Sequence, residues 1–137
     1  MKKLFLLLAA LLCISTSFGQ KQVFAMFAVK TEINAQCPMV IDELTTLQSA
    51  DYHLRSKYFT YNYSINEEMC SMSLLKENLG LIAERIPAIL EEIPDSEAFI
   101  TACINANVEI MFKYTGDRSG ESCCIIYNPK TRTTTTN

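Results

Sequence analysis

The sequence predicts a single α+β domain with the element order α-ββ-αα-ββ: an antiparallel sheet of about four strands with helices packed on one face. Three observations predict it. Residues 57–65 and 108–114 alternate large apolar and polar side chains with the period of a half-buried strand. Each lies beside a second β-rich segment across a short turn-like connector, so each reads as half of a hairpin. Between the two hairpins the apolar residues change to helical spacing. Hairpins with helices between them, joined edge to edge, give a layered fold with one covered sheet face.

The elements follow in chain order. Residues 22–36 (QVFAMFAVKTEINAQ) read as a helix, with Phe24, Phe27 and Thr31 on one stripe and Ala28 and Ala35 nearby. Pro38 disfavours the α conformation at Cys37, so this helix should end near Gln36. Residues 44–52 are rich in β-formers. "HLRS" then suits a hairpin turn, although no glycine fixes its type. In residues 57–65, Phe59, Tyr61, Tyr63 and Ile65 point one way, and Tyr58, Thr60, Asn62 and Ser64 the other.

Ser64 with Glu67 forms a capping-box pattern, and Asn66 is an alternative cap. A long helix should follow to about Ile86, on the recurrence of Leu75, Leu79, Ile82 and Ile86, with Pro87 ending or kinking it. Gly80 weakens that helix by roughly 1 kcal/mol relative to alanine. After Pro94, Asp95 or Ser96 can cap a short helix through about Ala102 to Ile104. Residues 108–114 and 122–128 form the second hairpin around "TGDRSGE". If that hairpin is symmetric about Arg118, Cys124 and Ile126 share the inward face with Phe112, and Cys123 lies with Met111. The tail, residues 129–137, contains no large apolar side chain and should fray.

The first nineteen residues read as a secretory leader. Lys2 and Lys3 precede an apolar run over residues 4–14, and Ser17 and Gly19 are small residues placed for cleavage before Gln20. Cys13 lies inside the apolar run and follows Leu12, which argues against a lipidation site. Cleavage near Gly19-Gln20 leaves ten basic and fifteen acidic residues, a net charge of −5. No basic patch exists, which excludes nucleic acid as a partner class. No later apolar run approaches the length of a membrane span. The expected location is periplasmic or secreted, and the expected organisation is residues 1–19 as leader, 20–128 as one domain and 129–137 as a flexible tail.

Chemistry-bearing patterns are sparse. His53 is the single histidine and falls in a turn, and no G-x-S-x-G is present. The carboxylate pairs Asp42-Glu43, Glu67-Glu68 and Glu91-Glu92 are adjacent in sequence and therefore diverge, so they read as solvated surface. No cofactor or metal site is expected, because there is no C-x-x-C and no phosphate-binding glycine loop. Five cysteines remain after the leader: Cys37, Cys70, Cys103, Cys123 and Cys124. In an oxidising compartment such thiols pair. Cys37 follows the first helix and Cys103 nears the end of the last. Both sit where helix ends can meet, which favours Cys37–Cys103, with Cys70–Cys124 a weaker candidate. A loop that long would stabilise the fold by about 4 kcal/mol in the chain-entropy account.

Tyr58, Tyr61 and Tyr63 in one strand read either as core or as an interaction surface. The expected role is a non-enzymatic binding or assembly domain with an unknown protein partner. The alternative is thiol-redox or mixed-disulfide chemistry at an unpaired cysteine.

The run Asn34-x-x-Cys37-Pro38, followed by Asp42, Thr46 and Leu47, then Tyr61-x-Tyr63, then Cys103 ahead of a glycine-containing hairpin, resembles small exported proteins of Gram-negative bacteria whose function is unknown. The resemblance spans residues 34–127. It implies an α+β domain outside the cytoplasm, with Cys103 as the mate of Cys37. It brings no catalytic residue, and Cys70 and the Cys123-Cys124 pair lie outside its pattern.

Overall fold

The computed structural model describes residues 22–92 and 97–137. The leader, Cys13 and the expected cap at Asp95 or Ser96 lie outside the described residues.

Nine elements follow one another: α1 (Gln22–Gln36), β1 (Met39–Val40), β2 (Thr45–His53), β3 (Tyr58–Ile65), α2 (Met72–Glu92), α3 (Glu97–Ala106), β4 (Glu109–Gly116), β5 (Ser122–Asn128) and β6 (Thr133–Thr136). The strands form one six-stranded sheet in simple sequential order from β1 to β6. The α+β class is as expected. The sheet has six strands, because the short β1 pairs with β2, and the threonine tail is not frayed but forms β6 beside β5.

The sheet is also not wholly antiparallel. β3 and β4 run parallel, with Tyr61 beside Phe112 and Tyr63 beside Tyr114. A parallel neighbour requires a crossover connection, and α2 with α3 supplies it. Hairpins alone cannot signal this, since strand direction at their junction depends on which way the crossover returns.

α1 ends at Gln36, as Pro38 dictates, and the Cys37-Pro38 peptide is cis. Its inward residues are Met26, Val29 and Ile33, not the stripe through Phe27 and Thr31. Phe27 lies at the boundary, edge-on to Tyr52 at 5.2 Å between centroids, and the Thr31 hydroxyl bonds back to the Phe27 carbonyl. In β2 a bulge at Gln48 shifts the alternation, so Leu47, Ala50 and Tyr52 all face inward. Lys57 takes a positive φ of 60° and closes the β2–β3 hairpin without glycine.

The long helix starts later than expected: Ser64 belongs to β3, and neither the Ser64–Glu67 box nor Asn66 caps it. Asn66 closes a turn through its own carbonyl and side chain. The cap of α2 is Ser71, whose Oγ accepts the Leu74 amide. Pro87 does not end α2, which continues to Glu92.

All three helices lie on one face of the sheet. Phe59, Tyr61, Tyr63 and Ile65 from β3 and Ile110, Phe112 and Tyr114 from β4 form the centre of the core, closed by Leu75, Leu79, Ile86 and Phe99 from the helices. Tyr61 stacks on Phe112 at 5.5 Å and Tyr63 on Tyr114 at 5.2 Å. The Tyr61 and Tyr63 hydroxyls are buried, and neither has a hydrogen-bond partner among the described residues. Burial raises both pKa values well above the ordinary 10.0.

The ring is therefore the stabilising part of Tyr61, and the hydroxyl a cost. Tyr61→Phe should be neutral or stabilising by up to about 1 kcal/mol, whereas Tyr61→Ala should cost about 3–5 kcal/mol. Urea denaturation of the two variants checks this; a Phe variant destabilised by more than the Ala variant's half would show the hydroxyl to be bonded.

Candidate functional site

The structure does not contain the expected disulfides. All five cysteines are free thiols. Cys103 is fully buried, its Sγ 4.0 Å from the Met26 Sδ. Met26 lies eleven residues before Cys37, which is about 16 Å along α1 at 1.5 Å per residue. Cys103 thus packs at the opposite end of the helix from Cys37, and a disulfide tolerates about 7 Å between Cα atoms. Cys70–Cys124 fails for a different reason. Lys113 pairs with Cys124 and Tyr114 with Cys123, so the β4–β5 register is one residue away from symmetry about Arg118. A one-residue slip exchanges the faces. Cys123 points into the core and Cys124 out, while Cys70 packs on the core side.

Burial also raises the pKa of four thiols, Cys37, Cys103, Cys123 and Cys124, against a weaker opposing pull from Lys76 on Cys123 and from Lys113 on Cys124. Desolvation disfavours the thiolate, which is the reactive form. Cys70 is part-exposed and its thiol donates to the Ser71 carbonyl at 3.4 Å.

Of the three tyrosines, Tyr61 and Tyr63 are core residues, which removes them from any interaction surface. Tyr58 alone lies on the outer face, part-exposed, between His53 and Glu109. That face carries a polar centre: the Asn62 amide donates to the Ser49 hydroxyl at 3.1 Å and to the Asp51 carboxylate at 2.9 Å. His53 is exposed at the end of β2. Among the described residues no three His, Cys, Asp or Glu side chains gather as metal ligands would.

Three of the carboxylates expected on the surface, Asp42, Glu67 and Glu68, also make structural contacts there. Asp42 Oδ1 accepts the amides of Leu44 and Thr45 at 2.9 and 2.7 Å and starts β2. Glu67 joins the start of the crossover to the β4–β5 turn. Its Oε1 accepts the Arg118 amide (3.2 Å), the Ser119 amide (2.9 Å) and the Ser119 hydroxyl (2.8 Å), while its own amide donates to Asp117 Oδ1 at 3.1 Å. Glu68 pairs with the Arg118 guanidinium. Gly116 is needed here, because a Cβ would collide with the Glu67 carboxylate and the Met72 side chain. These contacts fix the turn centre between Arg118 and Ser119 and so set the register of β5.

The two sheet edges are treated differently. Beyond β1, the free edge of β2 is closed by a side chain: Asn34 Nδ2 donates to the Ala50 carbonyl at 2.9 Å and its Oδ1 accepts the Ala50 amide at 2.7 Å. Asn34 thus stands in for a neighbouring strand. On the far side, β6 is four threonines, paired only on its β5 side among the described residues.

The family of domains of unknown function DUF8479 matches residues 21–123. The chain belongs to the DUF8479 family. The match ends before β6, so the family-defining part holds the Asn34 clamp, the aromatic core and the Glu67 turn. A crystal structure of a Pseudomonas aeruginosa protein, described provisionally as secreted, is similar to this DUF8479 chain with a TM-score of 0.58 and 9% identity, over 74% of this chain and 82% of that one. At that identity the likeness shows the fold alone. No curated protein matches the chain. Among the described residues no helix is long and apolar enough to cross a membrane.

Two outcomes follow. The hydrogen bonds from Ser119, first its amide and then its hydroxyl, hold the Glu67 carboxyl below its ordinary 4.5, helped by the Arg118 amide and charge. A lowered folded pKa stabilises the native state above the unfolded value and loses that contribution as pH falls through the folded value. Glu67→Gln should therefore unfold more readily than wild type at pH 7, with the gap closing below pH 4.5, and should speed amide exchange at Ser119; a constant gap across that range would refute the ionic role. Separately, iodoacetamide on the folded protein should leave Cys103 and Cys123 unmodified and reach them only on unfolding, read by peptide mass spectrometry.

Proposed function

We propose that this DUF8479 protein is an exported, non-enzymatic binding or assembly domain that takes its partner at the β6 side of the sheet. The observation that carries this reading is the contrast between the edges. Asn34 uses its whole amide to close one edge at Ala50, while the other edge leaves strand hydrogen-bonding groups open to another chain, a recurrent mode of protein recognition. Export is supported by the leader-like residues 1–19 and by the fold shared with a protein described as secreted. Thiol chemistry is less well supported, because burial raises the pKa of four of the five cysteines.

A photo-crosslinking residue at Thr135, whose side chain shares the outer face with Ile126, should capture a partner in the exporting cell. The same residue at Glu32, exposed on α1, should not. Capture at Thr135 should vanish in a Thr134→Pro background. Equal capture at both positions, or at neither, would refute the assignment of the surface.

A further inference from the structure

Lys113 and Cys124 stand directly opposite each other in the β4–β5 ladder. Both main-chain groups of Cys124 point the other way, to Asn137, at 3.0 and 2.9 Å. Lys113 and Cys124 are therefore a non-hydrogen-bonded pair, the closer of the two antiparallel kinds, with Cα atoms about 4.5 Å apart. Directly opposed Cβ atoms on one face are about 5 Å apart, within the span of a lysine side chain.

The pair lies on the outer face of the sheet, away from all three helices. Lys113 is exposed and Cys124 half-buried. Beside them in the same row are Asn62 on β3 and Asn137. Along the two strands the flanking residues on this face are Met111, Thr115, Ser122 and Ile126. None of these is a carboxylate, and Lys113 has no ion-pair partner among the described residues. Burial raises the pKa of the Cys124 thiol, and the charge of Lys113 opposes that shift. Cys123, the adjacent thiol, is buried in the core. Neighbouring strand residues point to opposite faces, so Cys123 does not reach the Cys124 sulfur on this side.

We infer that Lys113 and Cys124 form an oxidant-responsive site, at which a hypohalous acid joins thiol and amine into a sulfenamide that ties β4 to β5. It is independent of the binding surface at β6. In the first step the Cys124 sulfur attacks the halogen. The thiol proton and the departing hydroxide leave as water, and a sulfenyl halide remains. Lys113 Nζ, its ammonium proton given to solvent, then attacks the sulfur, expels halide and loses one further proton. One thiol, one amine and one hypohalous acid thus give one sulfenamide, one water and one hydrogen halide. Sulfur is oxidised by two electrons, and the halogen is reduced by the same two. An oxidised sulfur is consumed by the nucleophile nearest to it: a thiol gives a disulfide, and water gives an oxygen acid. Here the register makes the nearest nucleophile an amine.

The test treats the folded, purified protein with one equivalent of hypochlorous acid and reads its tryptic peptides by mass spectrometry. The peptides holding Lys113 and Cys124 should appear joined and lighter by two hydrogens, with cleavage after Lys113 blocked. Excess dithiothreitol should restore both residues. Lys113→Arg keeps the charge but removes the amine, so it should lose the joined species while keeping the thermal midpoint. Cys124→Ser should lose it too, and the wild-type peptide map decides the matter even where a variant folds poorly. Cys124 recovered as a sulfinic or sulfonic acid beside an unmodified Lys113 would overturn the inference. So would Cys124 in a disulfide, or the same loss of two hydrogens at Cys124 in the Lys113→Arg protein.

Discussion

The parallel pairing of β3 with β4 is the contact through which two separate hairpin units become one sheet. β2–β3 and β4–β5 can each form locally, but neither alone has a second layer to cover its aromatic face. A parallel junction cannot be made by a turn. It obliges the chain to leave the sheet at Ile65, cross through α2 and α3, and return at Glu109. That excursion supplies the missing layer. It also sets Tyr61 against Phe112 and Tyr63 against Tyr114 at the seam, where offset rings add to the burial of their area.

The positions of the edges follow from this junction. With β3 and β4 at the centre, the outermost strands are the ones added last at either end. At the β1 end the strand is two residues long, and beyond it Asn34 from α1 closes the β2 edge at Ala50. At the β6 end the helical layer supplies α2, whose Glu91 reaches Arg132 but whose backbone offers nothing to a strand. Asn34 can close the β2 edge because α1 runs beside that strand, with Phe27 near Tyr52 at one end and Asn34 at Ala50 further along. Among the described residues no side chain bonds to the outward backbone of β6 as Asn34 does to Ala50.

Local structure was legible in the sequence where a single residue decides it. Pro38 ends α1, and the alternation from Phe59 to Ile65 identifies β3 and its inward face. Long-range geometry was not legible. The direction of β4 against β3 depends on the crossover and leaves no mark on either strand. The register of β5 turned on half a residue in the turn centre, and that centre is held by Glu67, fifty-one residues before Arg118. Since the misplaced centre exchanged Cys123 with Cys124, the pairing inferred for Cys124 went with it. The tail shows that burial is not the only source of order. Thr133 to Thr136 bury little, yet they are β-formers beside a strand edge, and the ladder to β5 orders them.

The same distinction bears on function. The features that stand out in the sequence, the proline-flanked cysteine and the tyrosine-rich strand, are features of packing once folded. Cys37 terminates a helix, Cys103 sits beneath Met26, and Tyr61 and Tyr63 are the centre of the core. The feature whose backbone groups stay open to solvent is the plain one, a run of threonines. Outward N–H and C=O groups on an edge strand are a template for another strand whatever their side chains. Thr lends β-propensity and no charge to that edge. In this fold α2, held next to β6 by the same crossover that built the core, reaches the start of β6 only through Glu91 and Arg132. The open strand edge is therefore a consequence of how the two hairpins were joined.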